Sequence, residues 1–307
     1  IYVTTDFTRP TTNSTVYTGP MTLTNTTCLR AMAFQDNLYP SDADTQTYIF
    51  IDDVLNQPND PATFPASWAG TTAEYGMNPT IVTDPLYSNR MHDALLSIPS
   101  ISIVTETENL FDASTGAYTH PNSTGPAWER PISFEWMNPQ DPKGVQINAG
   151  LRIYGGAFRN FSLTRKKSFR LLFKAEYGET KLKADLFDGK NAVNSFDTLV
   201  LRAGANDGWN SWGNVNVQYV TDEVMRRTQI AFGQPASHGT FAHVYLNGLY
   251  WGLYNLVERP DASFSGSYFG GTEEDWDGLN AGAPIGESNA GTRDAMLTQI
   301  RSGMTDN

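Results

Sequence analysis

The chain has 307 residues, of which 39% are hydrophobic and 18% charged, and its formal net charge is −12. This length accommodates one large domain or two ordinary ones, and the composition is typical of a globular protein. The negative charge argues against nucleic acid or an anionic membrane as the main partner. We expect no membrane span either, because no run of apolar residues approaches the roughly 18 that a spanning helix needs.

Residues 1–50 are rich in threonine and form short alternating segments between turns, which predicts a small β-sandwich. Several of its short motifs occur in register with a known module: Tyr2, Thr4, Asp6, Pro10-Thr11, Tyr17-Thr18-Gly19-Pro20, Thr27-Cys28-Leu29-Arg30-Ala31 and Pro40-Ser41. The segment resembles the Ig-like module at the C-terminal end of chitobiases and β-hexosaminidases. The resemblance implies a spacer or a weak carbohydrate-binding unit, with polysaccharide as the ligand.

Cysteine and histidine give no sign of a metal site. The single cysteine, Cys28, forms no internal disulfide and is interpreted as a structural thiol in a strand. The four histidines are scattered without the spacing of zinc ligands. We therefore predict no metal-binding residues in this part of the protein.

Residues 51–98 are predicted to be a connector with one short helix. Asn, Pro, Asp and Thr dominate residues 51–84, which favours irregular structure. Asp84 then offers an N-cap and Pro85 a first helical residue, and apolar residues repeat at helical spacing as far as Pro99. This helix is interpreted as packing.

From residue 99 onward the pattern predicts a second, α+β domain that extends to residue 307. Alternation of period two predicts strands at 100–104, 132–136, 145–154 and 168–174, in a mainly antiparallel sheet. One helix is predicted at 217–232, with Val217, Val220, Val224 and Ala231 as its apolar stripe. A hairpin follows, with strands at 241–246 and 249–257 joined by Asn247-Gly248, the dipeptide that best fits a type I′ turn.

Basic residues concentrate in one stretch of this acidic chain. Residues 152–190 hold ten of the 21 lysines and arginines and only four acids, an excess of six positive charges. We interpret this stretch as an anion-binding face for a small ligand.

Two motifs carry a second resemblance. Residues 245–264 read YLNGLYWGLYNLVERPDASF, and residues 166–171 read KKSFRL. Both resemble the spore coat protein H (CotH) family of atypical, secretory-pathway-like protein kinases. The resemblance implies that residues 99–307 form the N-terminal part of the kinase domain, including its small lobe, and that the parent protein uses ATP and Mg²⁺ to phosphorylate hydroxyls of a secreted or surface protein. It also implies an extracellular or cell-surface location in a bacterium.

The resemblance also places the catalytic and metal-binding acids of the family downstream of the hairpin. The chain starts within a strand and stops in a helix, so we expect a fragment whose catalytic residues lie beyond Asn307. We therefore expect residues 1–307 alone to be inactive. Whether the parent protein is an enzyme stays open at this point.

The first group of candidate nucleotide-binding residues is Gly155, Gly156, Arg159, Lys166 and Lys167. Adjacent glycines let backbone N–H groups approach a phosphate, with a lysine supplying charge. Taken alone, glycines at the end of a strand more often form a simple turn, and the resemblance favours the phosphate interpretation. The family motif at this loop has an arginine where Tyr154 stands and serines at 157 and 158. Arg159 is the candidate to compensate for those losses, and Arg152 is the alternative.

The second group is Glu223 and Glu258. Kinases pair a helix glutamate with the lysine that holds the nucleotide, which makes Glu223 a candidate partner of Lys167. Alternatively, Asp222–Arg226 and Glu223–Arg227 form exposed pairs within the helix. Glu258, at the end of the hairpin, is assigned to the nucleotide site, and Asp261 to the N-cap of the next helix.

Two acidic segments are open to a second interpretation. Asn206-Asp207, in a glycine-flanked loop, is either a turn or part of the site. The acidic run at 273–277 favours a solvated turn over a divalent-ion site.

Two further classes of function remain possible. One is a non-catalytic surface scaffold that binds polysaccharide through residues 1–50. The other is a cell-surface adhesion protein.

Overall fold

The computed structural model describes all residues except 69, 188–190, 206, 209–215, 281, 286–287 and 304–307. Residues 1–50 contain β1 (Tyr2–Thr4), β2 (Thr15–Val16), β3 (Thr27–Met32) and β4 (Asp44–Tyr48). The following segment contains α1 (Ile51–Leu55), β5 (Ser67–Trp68), β6 (Thr71–Thr72), α2 (Pro79–Val82), a 3₁₀ turn at Ser88–Arg90 and α3 (Met91–Leu96).

The rest of the described chain is mixed α and β. In order it contains β7 (Ser100–Val104), α4 (Thr107–Phe111), β8 (Arg130–Asn138), β9 (Asp141–Tyr154), β10 (Ser168–Leu172), β11 (Leu182–Lys183), β12 (Ser195–Phe196) and β13 (Thr198–Arg202). It continues with α5 (Thr221–Ala231), β14 (Gly239–Leu246), β15 (Leu249–Glu258), α6 (Ala262–Phe269), β16 (Leu279–Asn280), β17 (Ala283–Pro284) and α7 (Gly291–Arg301). Further 3₁₀ turns lie at Pro126–Trp128, Ala157–Arg159 and Glu273–Asp275.

The first 50 residues form one antiparallel sheet in the order β2-β1-β3-β4, and the predicted second sheet of a sandwich is not found in residues 1–50, all of which are described. The barrel supplies the missing partner. Thr47 on β4 donates its backbone N–H to Glu135 on β8 at 2.8 Å, and its hydroxyl lies 2.8 Å from that of Ser102 on β7. One face of this small sheet is thus covered by the barrel, through hydrogen bonds between polar groups.

The main sheet is a closed seven-stranded barrel in the order β10-β13-β15-β14-β7-β8-β9. All its pairs are antiparallel except β7 with β14, where Ile101 lies opposite Val244. The sequence predicted strands and antiparallel pairing but not closure. Closure depends on this one pairing between strands about 140 residues apart, which local periodicity does not encode. The alternate apolar residues of the strands fill the interior, including Ile103, Phe134, Leu151, Phe169 and Leu199.

The predicted hairpin is present. Asn247 and Gly248 both have positive φ angles, 49° and 82°, as a type I′ turn requires. Gly252 on β15 has φ +126°, and a Cβ there would lie 2.8 Å from Nζ of Lys166. The position favours glycine because its φ lies in a region that residues with a β-carbon rarely adopt, and the end of the Lys166 side chain uses the space that this leaves.

The segment between the two sheets is more than a connector. Trp68 and Tyr75 are buried and pack with Tyr118 and Trp251 in an aromatic cluster that joins the barrel core. The predicted helix is shorter than expected. It is reduced to the turn at Ser88–Arg90 and α3, and the Asp84 side chain accepts the Leu86 N–H instead of capping a long helix.

Helix α5 has the opposite orientation to the one predicted. Val220 and Val224 of the predicted apolar stripe are 47% and 52% exposed, whereas Glu223 is the buried residue of the helix. The charged side faces the barrel because it finds ionic partners there, as described below. In the described part of the chain, each helix is too short or too polar to cross a lipid bilayer.

Candidate functional site

A cavity of about 410 Å³ lies at the ends of β9, β10, β13 and β15, beside α5. Its walls include the loop after β9, the residues that precede β10, and the residues that follow β13 and β15. These four strands are neighbours in the barrel, in the order β9-β10-β13-β15, so side chains from distant parts of the chain meet here. Four of the seven predicted site residues line the cavity: Gly155, Gly156, Lys166 and Glu258.

Lys166 is the cavity lysine. Its Nζ lies 2.5 Å from the backbone carbonyl of Leu253 and 4.3 Å from the ring centroid of Tyr254. Burial lowers the pKa of Lys166 to about 7, because water no longer solvates the ammonium form. An anion that enters the cavity would favour the charged form and so bind to a lysine that lacks an ionic partner in the described residues.

Lys167 faces the other way. Its side chain is buried, with Nζ 4.0 Å from the ring centroid of Phe161, and it donates hydrogen bonds to the backbone carbonyls of Phe158 and Thr164. Burial lowers its pKa to about 8. Lys167 is thus directed away from the cavity, because it shares the side of the strand that faces the barrel interior with Phe169 and Leu171.

The predicted Lys167–Glu223 pair is wrong. Glu223 instead accepts hydrogen bonds from Arg226 at 2.5 Å, from Arg227 at 2.6 Å and from Asn255 on β15 at 3.2 Å. The alternative prediction of i to i+4 pairs is correct in its partners, but Glu223 is buried rather than exposed. Burial opposes ionisation of Glu223, and the hydrogen bonds from Arg227, Arg226 and Asn255 outweigh it, so the pKa of Glu223 is lowered.

The same network brings two arginines to the cavity wall that the sequence interpretation missed. Arg226 bridges Asp222 and Glu223 and also donates to Asn255 at 2.6 Å. Arg202, at the end of β13, forms an ion pair with Asp222. Both arginines line the cavity, and a strand that ends in arginine beside a glycine-rich loop was the available signal for Arg202.

Glu258 closes the opposite wall and is buried at the end of β15. Its carboxylate accepts the backbone N–H of His238 at 2.8 Å, lies 2.9 Å from Nδ1 of the same histidine, and accepts the Tyr268 hydroxyl at 2.7 Å. These bonds fix the turn from β15 into α6. Asp261 caps α6 as predicted, since its side chain accepts the Phe264 N–H.

The glycine loop is open toward the cavity. Gly155 has φ +117°, and a Cβ on either Gly155 or Gly156 would meet no atom within 4 Å. Packing therefore leaves the backbone accessible at these two positions. Arg159 does not reach the cavity. It holds the loop from behind through hydrogen bonds to the carbonyls of Gly155, Ile153, Pro121 and Ser123.

The charge balance of the cavity favours an anion. Its lining carries four cationic side chains, from Lys166, Arg202, Arg226 and Arg259, and two carboxylates, from Asp207 and Glu258. Within the described residues, the buried Nε atoms of Arg226 and Arg259 have no hydrogen-bond partner. Buried donors of this kind are normally satisfied, so these two atoms fit a ligand that accepts hydrogen bonds.

The two acidic segments contribute little to the candidate site. Asp207 lines the cavity, while Asn206 lies outside the described residues. Thr272 and Asp275 form a capping box around the turn at Glu273–Asp275, none of whose residues is buried. Over the described ranges, we find no group of three or more His, Cys, Asp or Glu side chains that could hold a metal ion.

Comparison with known proteins gives two matches. Residues 151–289 match the family described as CotH kinase protein, and residues 1–46 match the chitobiase/beta-hexosaminidase C-terminal domain. No curated protein matches the chain. The CotH match covers the whole cavity lining and indicates a kinase-like function, and the two domain types together suggest a secreted or surface protein. The resemblances drawn from the sequence, to the CotH kinase protein family and to the chitobiase/beta-hexosaminidase C-terminal domain, are therefore confirmed as matches over residues 151–289 and 1–46.

Proposed function

We propose that the 410 Å³ cavity binds the phosphates of ATP and that the protein acts as a CotH-like kinase on hydroxyls of secreted or surface proteins. The observation that supports this most directly is the concentration of four cations, two with unpartnered buried Nε atoms, inside the segment that matches the kinase family. Phosphoryl transfer depends on positioning of the phosphates and on stabilisation of their negative charge. A cavity lined by several basic side chains can do both.

Each wall has a distinct part in this proposal. Lys166 takes the role that the sequence interpretation gave to Lys167, because it is the lysine of the pair that lines the cavity. The accessible backbone at Gly155 and Gly156 approaches the phosphates from the loop side. Arg226 and Arg202 supply further charge, held in place by Asp222.

Helix α5 and the barrel together act as the small lobe in this proposal. In protein kinases an ion pair between the helix and a strand lysine sets the position of the phosphate-binding groups. Here the ion pair between Asp222 on α5 and Arg202 on β13 joins helix to sheet. We infer that the Asp222–Arg202 pair positions the phosphate-binding groups in the same way, with arginine in place of lysine.

Magnesium would enter with the nucleotide. Mg²⁺ is commonly held by one or two carboxylates together with phosphate oxygens. Glu258 is occupied by His238 and Tyr268, so Asp207 is the carboxylate of this cavity that would contact the ion. The residues of the cavity fit the phosphates of ATP well but fit Mg²⁺ only in part. Phosphate oxygens would therefore supply most of the ligands of the metal ion.

The test is calorimetric titration of the chain with ATP, with and without Mg²⁺. We expect Lys166→Gln to weaken binding at least about tenfold, since it removes a charge-assisted contact to phosphate. Lys167→Gln should keep the affinity of the folded protein while lowering its thermal stability, because Lys167 contacts the barrel end and not the cavity. Lys183→Gln, an exposed lysine on β11, is the control for net charge.

Two results would contradict this proposal. One is the absence of ATP binding by a folded wild-type protein. The other is equal ATP affinity for wild type and Lys166→Gln.

A carbohydrate-binding surface protein is the second candidate. The N-terminal sheet region exposes Tyr17, Tyr39 and Tyr48, and Tyr39 is 99% exposed. Flat aromatic side chains of this kind suit the faces of sugar rings, so polysaccharide is the proposed partner of residues 1–50. Saturable binding to chitin or cellulose, without any binding of ATP, would favour this function over the kinase.

A further inference from the structure

A second cavity, of about 200 Å³, adjoins the first on the outside of the barrel. Four arginines line it: Arg152, Arg159, Arg170 and Arg259. Trp128 and the loop at 123–125 complete the wall. Tyr154 and Arg259 line both cavities, so the two spaces meet at these residues.

The strand register forces two of these arginines together. Arg152 on β9 lies directly opposite Arg170 on β10 in an antiparallel pair. Like charges in directly opposite positions destabilise a sheet. A protein that has both arginines therefore needs negative charge nearby to offset their repulsion.

The protein's own carboxylates offset it only in part. Arg152 pairs with Glu129 at 2.5 Å, but Lys174 shares the same carboxylate at 2.7 Å. Arg259 lies 3.4 Å from Asp261. Among the ion pairs of the described residues, none includes Arg159 or Arg170.

The remaining two arginines are held by neutral groups. Arg159 donates to four backbone carbonyls, and Arg170 donates from Nε to the Thr198 hydroxyl at 2.9 Å. Such bonds orient a guanidinium without cancelling its charge. Burial, and then the positive charge of Arg259, lower the pKa of Arg170 to about 10, although the carboxylates of Asp261 and Asp197 oppose the shift. Arg259 also keeps its buried Nε without a partner in the described chain, at 12% side-chain exposure.

The size and the charge of the cavity limit its ligand. A volume of 200 Å³ is below the usual range for a drug-sized ligand, so it suits a single anionic group and not a whole nucleotide. Several guanidiniums around one point favour a multiply charged oxyanion, since each planar fork can contact two of its oxygens. We propose that the arginine-lined cavity is a binding site for a phosphate group, separate from the nucleotide cavity and supplied either as inorganic phosphate or as a phosphorylated serine side chain.

The first experiment titrates the whole chain with inorganic phosphate and, separately, with N-acetylphosphoserine amide, using calorimetry. We expect saturable binding of at least one of them to wild type and at least about a tenfold loss of affinity in Arg170→Gln. N-acetylserine amide should not bind. The ligand with the higher affinity identifies the source of the phosphate group.

Lys143→Gln is the matched control. Lys143 is exposed on the same strand, β9, nine residues from Arg152, which corresponds to roughly 30 Å along a strand. The Lys143→Gln variant removes one positive charge, as Arg170→Gln does, but changes no residue that lines the cavity. Its phosphate affinity should therefore equal that of wild type. Arg170→Lys keeps the charge but not the planar fork, and we expect a loss of several-fold; this variant tests the site even if Arg170→Gln does not fold.

The nucleotide variants separate the two cavities. Lys166→Gln should retain phosphate affinity, and Arg170→Gln should retain ATP affinity. The second site is refuted if Lys166→Gln lowers phosphate and ATP affinity equally, if Arg170→Gln binds phosphate as tightly as wild type, or if neither phosphate compound binds wild type saturably. Absence of ATP binding together with normal phosphate binding would remove the proposed nucleotide site and leave this one intact.

Discussion

Two junctions on the outside of the barrel each bury a glutamate carboxylate, and they shift its pKa in opposite directions. At the helix junction, Glu223 of α5 meets Arg226, Arg227 and Asn255. At the sheet junction, Glu135 on β8 meets Thr47 of β4 and Ser102 of β7. The two glutamates are 6% and 2% exposed, so burial alone does not distinguish them.

The pKa values of the two carboxylates shift in opposite directions. At the sheet junction burial raises the pKa of Glu135, and hydrogen bonds from Thr47 and Ser102 only reduce the shift. At the helix junction the two guanidiniums and Asn255 outweigh burial and lower the pKa of Glu223. Hydroxyl groups can donate hydrogen bonds to a buried carboxylate. A positively charged partner is needed to offset most of the free energy of hydration that the carboxylate loses on burial.

The difference separates a structural contact from a functional one. The sheet junction holds its carboxylate with hydroxyl and backbone N–H donors. The Thr45–Ser133 hydroxyl pair at 2.7 Å belongs to the same junction, which holds the N-terminal sheet on the barrel. The helix junction places ions at the cavity wall, where Arg226 and Arg202 face the ligand space. Arginine partners therefore accompany the buried carboxylate where we propose that an anion binds, and neutral donors accompany it where two parts of the protein join.

The strongest test of the comparison is Arg226→Met. Its guanidinium bridges Asp222, Glu223 and Asn255 and is mostly buried. Removing it leaves Glu223 buried with fewer partners, and breaking a buried pair in this way costs about 3–5 kcal/mol of unfolding free energy. Urea denaturation at neutral pH measures the loss.

Arg227→Met is the control within the same helix. Arg227 pairs with the same carboxylate at 2.6 Å, but its side chain is 56% exposed. Exposed pairs contribute about 0–1 kcal/mol, so this variant should lose much less stability. Equal losses for the two variants would show that the helix junction does not depend on buried charge.

Some of this arrangement was accessible from the sequence. The hairpin was predicted correctly because Asn247-Gly248 determines its turn and register locally. Alternation also separates the two lysines: Lys167 shares its side of the strand with Phe169 and Leu171, and therefore faces inward. Applied to this pair, strand parity favours Lys166 as the cavity residue.

Other features depend on tertiary partners and could not be found this way. The apolar stripe of α5 was interpreted as its buried face. The groups that reverse the helix, the ionic partner Arg202 and the hydrogen-bond partner Asn255, lie on β13 and β15. Barrel closure needs β7 and β14 to pair across about 140 residues. The Arg152–Arg170 pair became visible only with the register of β9 and β10.

The second prediction concerns the pH dependence at Lys166. Folding lowers the pKa of Lys166 from an ordinary value of 10.5 to about 7 through burial. Between these two values the unfolded chain binds more protons than the folded protein, so the stability contributed by Lys166 rises with pH across this window. We expect the unfolding free energy of wild type, minus that of Lys166→Met, to increase between pH 7 and pH 10.

Urea denaturation at pH 6, 8 and 10 measures this difference. Lys183→Met, with its exposed side chain, should show a flat difference over the same range. A flat difference for Lys166→Met as well would mean that Lys166 is solvated in the folded protein, and the contrast between the cavity and the surface would disappear.

The smallest expected effect is the pH dependence at Glu135, and its sign is opposite to that of an ion-paired acid. Folding raises the pKa of Glu135, chiefly through burial, so the folded protein binds the extra proton above the ordinary value of 4.5. The stability that Glu135 contributes is therefore complete below about pH 4.5 and declines as pH rises through the folded pKa.

Glu135→Gln keeps an acceptor for Thr47 but does not titrate. We expect the wild-type unfolding free energy, minus that of Glu135→Gln, to fall as pH rises from 4 to 8. Glu223→Gln should give a difference that rises with pH at the acid end of this range and is flat above it, because the pKa of Glu223 is lowered in the fold from the ordinary value of 4.5. Slopes of the same sign for both variants would mean that the two junctions shift the pKa of their carboxylates in the same direction, against the contrast drawn here.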